Sequence, residues 1–97
     1  MTVYALGQIA IHDRERYNRY QSRFMDVLKP FKGRLLAADE RPSVIEGGWE
    51  YQKVILLAFP DEPSFQDWAQ SPSYREIAQD RIASTKGVVL LVRGIDA

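Results

Sequence analysis

An α+β domain, with a four-stranded antiparallel sheet carrying helices on one face, is the fold class that these 97 residues predict. Three observations carry it. Apolar runs of extended character alternate with stretches whose apolar side chains recur every three or four residues. Two of the runs are apolar at both parities. No repeat, linker or low-complexity tract divides the chain, so a single domain over residues 1–97 is expected.

Val3 to Ile11 is apolar and broken only by Gly7 and Gln8, and Asp13 then offers a side-chain oxygen to the free N–H groups of a helix start. Within Asp13 to Phe31, Tyr17, Tyr20, Phe24, Val27, Leu28 and Phe31 recur at helical spacing, with Arg16, Arg19, Arg23 and Asp26 between them. Pro30 and Gly33 end the helix, the glycine by accepting a left-handed cap. Arg34 to Asp39 predicts a second strand, Pro42 interrupts it, Val44-Ile45-Glu46 continues it after a kink, and Gly47-Gly48 turns the chain. Lys53 to Phe59 returns as its hairpin partner. Asp61 to Ser64 opens a short helix carrying Phe65, Trp68 and Ala69. Ser71-Pro72 restarts it with a capping serine, and Tyr74, Ile77, Ala78, Arg81 and Ile82 keep the spacing to about Ser84. Gly87 breaks the helix, Val88 to Val92 is the last strand, and Gly94 to Ala97 is a tail. The order is the split β-α-β pattern of a ferredoxin-like β-α-β-β-α-β fold, and right-handed crossovers put both helices on one face.

A sheet covered on one side should alternate apolar and polar residues. Val54 to Phe59 and Val88 to Val92 do not alternate, so both of their faces want to be dry, and the chain has no spare element for the second face. An open apolar patch of that size is an interaction surface. A homodimer through the sheet face, two sheets packed face to face as a dimeric α/β barrel, is therefore expected.

Thirteen basic and thirteen acidic side chains cancel, and the charge is unevenly spread. Residues 13–34 are basic and residues 61–80 acidic, the pattern of two helices that attract each other. The basic stretch lacks the exposed strand aromatics and basic-glycine-aromatic run of an RNA-recognition sheet, so no nucleic-acid partner is expected. No apolar run approaches the length needed to span a bilayer, and Thr2-Val3-Tyr4 lacks the basic start of a secretory signal, so no membrane partner and a cytoplasmic location are expected. With no cysteine and one histidine, neither a metal nor another cofactor is expected.

Gly33-Arg34-Leu35-Leu36-Ala37-Ala38-Asp39-Glu40, Val44-Ile45-Glu46-Gly47, Phe59-Pro60, Trp68 with Ser71-Pro72-Ser73-Tyr74, and Arg81 together resemble the small proteins of domain-of-unknown-function family 1330, over Tyr4 to Gly94. The double glycine that often opens the second strand in that family is Lys32-Gly33 here. The resemblance implies a ferredoxin-like fold of the dimeric α/β-barrel superfamily and no established activity. Relatives by fold include muconolactone isomerases, cofactor-free quinone-forming monooxygenases and haem-dependent peroxidases, so fold alone selects no chemistry.

Parity in the first strand sets Tyr4, Leu6, Gln8, Ala10 and His12 on one face, taken as the dimer interior because it carries polar tips among apolar walls. Gln8 is a candidate for a ligand's hydrogen bond, or a paired filler. His12 suits proton transfer near neutrality, or simply enters the helix beside Asp13. Glu46, after two apolar residues and before two glycines, is a candidate general base, or a turn residue paired with Arg41 or Lys53. Arg41 suits recognition of a carboxylate, or is a solvated edge residue. Trp49, Trp68 and Tyr74 offer flat apolar surface, with Trp68 and Tyr74 at core spacing. Arg81 shares the stripe of Tyr74 and Ile77, and a carboxylate partner, Glu46 or Asp67, is expected for it. The leading expectation is a homodimer that binds a small organic molecule, anions included. A cofactor-free isomerase, lyase or monooxygenase using Glu46 or His12 is the alternative, and a purely structural dimer the third.

Overall fold

A computed structural model describes residues 1–95. Seven elements follow one another: β1 (Val3–Ile11), α1 (Arg14–Leu28), β2 (Arg34–Asp39), β3 (Lys53–Phe59), α2 (Glu62–Ala69), α3 (Pro72–Ser84) and β4 (Thr85–Arg93). The strands form one antiparallel sheet in the order β2-β3-β1-β4, the ferredoxin-like arrangement. Of the tail expected at Gly94 to Ala97, Asp96 and Ala97 lie outside the described residues. No described helix is long and apolar enough to cross a membrane.

Side-chain caps set the helix starts. Asp13 Oδ1 accepts the Arg16 N–H at 3.2 Å and Asp61 Oδ1 accepts that of Ser64 at 2.8 Å. Ser71 does two jobs at the break between α2 and α3: its hydroxyl donates to the Trp68 carbonyl at 2.7 Å and accepts the Tyr74 N–H at 3.2 Å.

Three expectations are corrected. Val44-Ile45-Glu46 is not strand; residues 40–52 run irregularly, because the Asp39 carboxylate turns back to accept the Arg41 N–H at 2.8 Å and Pro42 has no N–H to offer a ladder. Gly87 does not separate α3 from β4 but lies inside β4, opposite Ile9, where a Cβ would stand 2.1 Å from the Gln8 carbonyl oxygen. Gly33 has no positive φ; glycine is needed there because a Cβ would lie 2.5 Å from the Phe59 ring.

The core is the layer between helices and sheet. Tyr17, Tyr20, Phe24 and Leu28 of α1 face Val3, Ala5, Ile9, Leu57 and Phe59. Trp68 ties the aromatic side chains together, its ring centroid 5.5 Å from Phe59, 5.9 Å from Phe24 and 4.1 Å from Tyr74. The opposite charges of α1 and α3 meet as expected: Arg16 reaches Asp80 at 2.7 Å, Arg19 the same carboxylate at 3.5 Å, and Arg23 reaches Glu76 at 3.6 Å. Hydrogen bonding from Arg16 holds the Asp80 carboxyl below its ordinary range.

The other sheet face is aliphatic. Leu6 stands in register between Leu56 and Leu90, and Gln8 between Val54 and Val88. Val88, Leu90 and Val92 are 39–46% exposed. Val89, on the helix side of β4, is also exposed, at 53%, because a cavity rather than a helix lies beside it.

Candidate functional site

The cavity of about 270 Å³ lies under the helices, with Gly7 of β1 at the centre of its floor. Gly7 is in register with Ile55 on one side and Val89 on the other, so the floor is hollow where a side chain is missing. Three helices supply the walls: Tyr17, Tyr20 and Phe24 from α1, Phe65 and Trp68 from α2, Tyr74 and Arg81 from α3.

Its polar groups are all donors or hydroxyls; no carboxylate or imidazole is among the lining residues. Arg81 Nε and Trp68 Nε1 are buried and make no hydrogen bond. Arg81 has no acid within ion-pair distance among the described residues, so the carboxylate partner expected for it, Glu46 or Asp67, is not there. The hydroxyls of Tyr20 and Tyr74 lie 3.0 Å apart. Burial, reinforced by Tyr74, pushes the Tyr20 phenol well above its usual range, and burial followed by the Glu40 charge pushes Tyr17 up to about 12. Both are therefore neutral at physiological pH. Such a set can donate to an acceptor but offers no base.

A second cavity of about 250 Å³ shares Tyr17, Tyr20, Phe24 and Ile55 with the first. Lys53 lines it, its side chain only 4% exposed. Lys53 Nζ donates to Gln21 Oε1 at 3.2 Å, lies 3.7 Å from Glu40 Oε2 and stands 4.8 Å from the centre of the Tyr17 ring. Burial lowers the lysine pKa against the pull of Glu40. Glu40 is itself gripped by Arg14, at 2.7 and 3.2 Å, and that hydrogen bonding holds its carboxyl low.

Of the residues singled out from the sequence, Trp68, Tyr74 and Arg81 line the first cavity. Gln8 and Trp49 meet each other instead, on the open sheet face, where the indole N–H donates to Gln8 Oε1 at 2.8 Å. Glu46 and Arg41 are exposed in the 40–52 segment, Glu46 along an open groove with Val44 and Trp49. His12 is exposed, and its backbone N–H donates to the Ser84 carbonyl at 2.9 Å. None of these three lines the cavity under the helices. Sequence reasoning passed over Tyr17, Tyr20 and Lys53 as site residues. The signal for the cavity was Gly7, a glycine amid apolar residues on the helix-facing parity of β1.

The sheet order and helix placement define a ferredoxin-like protein with an aromatic, donor-lined cavity between its layers. The chain belongs to the family described as domain of unknown function (DUF1330), whose sequence profile matches residues 2–95. No curated protein matches it. Among solved structures it is similar to a protein of unknown function from Rhodopseudomonas palustris, with TM-score 0.82 and 15% identity over 99% of this chain and 84% of that one. A dimeric ferredoxin-like protein of unknown function from Jannaschia sp. CCS1 gives TM-score 0.75 and 15% identity over 97% of this chain and all of that one (100%). SnoaB, a cofactor-independent oxygenase from Streptomyces nogalater, gives TM-score 0.72 and 10% identity over 99% and 95%. Likeness at these identities is likeness of fold.

Proposed function

We propose that the protein is a cytosolic homodimer that binds a small, planar organic anion in the cavity under its helices. The observation that carries the reading is the Arg81 guanidinium, which lines an aromatic cavity with its Nε buried and unpartnered. Leaving a buried donor unmet costs about 1–3 kcal/mol, a cost that a carboxylate or other anion would remove on entering. Flat aromatic walls around a few fixed polar groups suit a planar body of modest size. The dimer is supported by the aliphatic rows on the open sheet face and by the dimeric description of the Jannaschia protein. The test is thermal unfolding with benzoate and its larger relatives, since a ligand that prefers the folded state raises the melting temperature. Arg81→Met should abolish the rise. No rise with any aromatic carboxylate, or a rise that survives Arg81→Met, refutes the reading.

An enzymatic reading stands second. It is supported by the paired Tyr20 and Tyr74 hydroxyls, which can steady an anion formed in a reaction, and by fold likeness to a cofactor-independent oxygenase. In it Glu46 or His12 moves the proton and Arg41 or Arg81 steadies the anion, and of these four Arg81 alone lines the cavity within one chain. Glu46→Gln with binding intact and turnover lost would favour it; no ligand response at all would favour a purely structural dimer.

A further inference from the structure

Charge accounting extends the binding site past its aromatic wall. Among the described residues Arg81, at the first cavity, has no acid partner. At the second, Arg14 and Lys53 share one carboxylate, Glu40, so that cluster too holds one positive charge more than it neutralises. The two cavities meet along Tyr17, Tyr20, Phe24 and Ile55, and the Tyr17 ring that walls both lies under the Lys53 ammonium. A body that fills only the first cavity leaves the second excess charge unanswered.

Resting on the reading above, we infer that the ligand is an elongated aromatic dianion, with one anionic group on Arg81 and the other on the Lys53 cluster across the Tyr17 wall. The middle of the ligand meets the rings of Tyr17, Tyr20 and Phe24 with Ile55, and each end meets a cation. Lys53 is then a specificity residue: it discriminates a ligand with two anionic ends from one of equal size with a single end. Gln21, which holds Lys53 Nζ at 3.2 Å, keeps the ammonium aimed at the second cavity.

Size-matched pairs test this in calorimetric titrations: benzoate against terephthalate, and biphenyl carboxylate against biphenyl dicarboxylate. The longer dianion should bind about tenfold more tightly than its monoanion, the effect of one added charge-assisted contact, while the short pair shows little difference. Lys53→Met should erase the preference, so that the long dianion and its monoanion bind the variant equally. In the native protein, independent of any variant, the Lys53 ε-methylene resonance should shift with the biphenyl dianion and stay still with the monoanion. Equal affinities within the long pair, a preference that survives Lys53→Met, or an unmoved Lys53 resonance each overturn the inference. Arg81-dependent binding of the monoanions would in that case leave the proposed function standing, whereas no binding of any of the four removes both.

Discussion

The two faces of the sheet are built from alternate residues of the same strands, and they treat polar atoms in opposite ways. On the open face, Gln8 lies in an aliphatic grid, and Trp49 meets its acceptor at 2.8 Å. On the helix-covered face, Arg81 Nε and Trp68 Nε1 are buried without acceptors. The open face is the one with exposed valines and leucines, yet its central polar side chain is satisfied. The covered face is the buried one, yet Arg81 Nε and Trp68 Nε1 on it are left unsatisfied. A satisfied polar group in an apolar surface suits packing against another surface, whereas unsatisfied donors around a hollow suit a molecule that brings acceptors. Pairing, more than burial, separates the two roles.

The strongest way to break this contrast is a charge on the open face. Leu6→Asp places a carboxylate between Leu56 and Leu90. If the face is an interface, the change buries a charge without a partner, which costs several kcal/mol, and the dimer should dissociate. Light scattering during size exclusion should show a dimer before the substitution and a monomer with a lowered melting temperature after it. An unchanged mass, or a wild type that is already monomeric at low concentration, would leave the open face without the role proposed for it.

The covered face should respond to alkali. Tyr17 ionises at about 12 in the folded chain against an ordinary value of 10.0, and Tyr20 is also raised, both first of all by burial. Because the folded state holds these protons more tightly than the unfolded state, their stabilising contribution is complete below pH 10 and is lost as pH rises towards 12. Ultraviolet titration should therefore show at least two tyrosines ionising only with unfolding. Reversible ionisation of Tyr17 and Tyr20 near pH 10 in a chain that stays folded would contradict the burial.

A smaller effect with a telling sign is expected at Arg81. Methionine keeps much of the side chain's apolar stem and removes an unpaired donor, so Arg81→Met should raise the stability of the empty protein by about 1 kcal/mol even as it abolishes anion binding. Chemical denaturation with and without benzoate separates the two effects. A loss of stability on substitution would mean that the guanidinium is held by the chain itself.

The strand and helix order was legible because periodicity records which face of each element is buried. Within the described residues β1, β2 and β3 span Val3–Ile11, Arg34–Asp39 and Lys53–Phe59 as the sequence predicts, and the acidic and basic helices pair through Asp80 and Glu76. The place of half-buried Tyr74 and Arg81 beside the cavity was legible for the same reason, since both fall on the stripe of Ile77. What pattern could not reveal is tertiary partnership. Lys53 reads as a polar flank to an apolar strand, yet it is buried over Tyr17 because Glu40, thirteen positions earlier, comes back beside it once β2 and β3 pair. Arg81 looked like a residue in need of an acid, and no local signal says that none of the described residues supplies one. Val44 to Glu46 had the composition of a strand, but an Asp39 side-chain turn at the last residue of β2 removed the ladder it needed.

The mildest and most discriminating change concerns Gly7. Its floor position has ordinary space, because an added Cβ would meet Ile55 at 3.6 Å, and its φ is not positive. Gly7→Ala therefore removes chain entropy from the unfolded state without native strain, and should stabilise the empty protein by about 0.4–1 kcal/mol. The same methyl group occupies the hollow between Ile55 and Val89, so aromatic carboxylates should bind more weakly, and Gly7→Val should weaken them further. At Gly87, by contrast, a Cβ would press on the β1 backbone at 2.1 Å, and Gly87→Ala should destabilise the sheet outright. If Gly7→Ala leaves the affinity for benzoate untouched, the ligand does not sit on this floor, and the contrast between the two sheet faces loses its functional half.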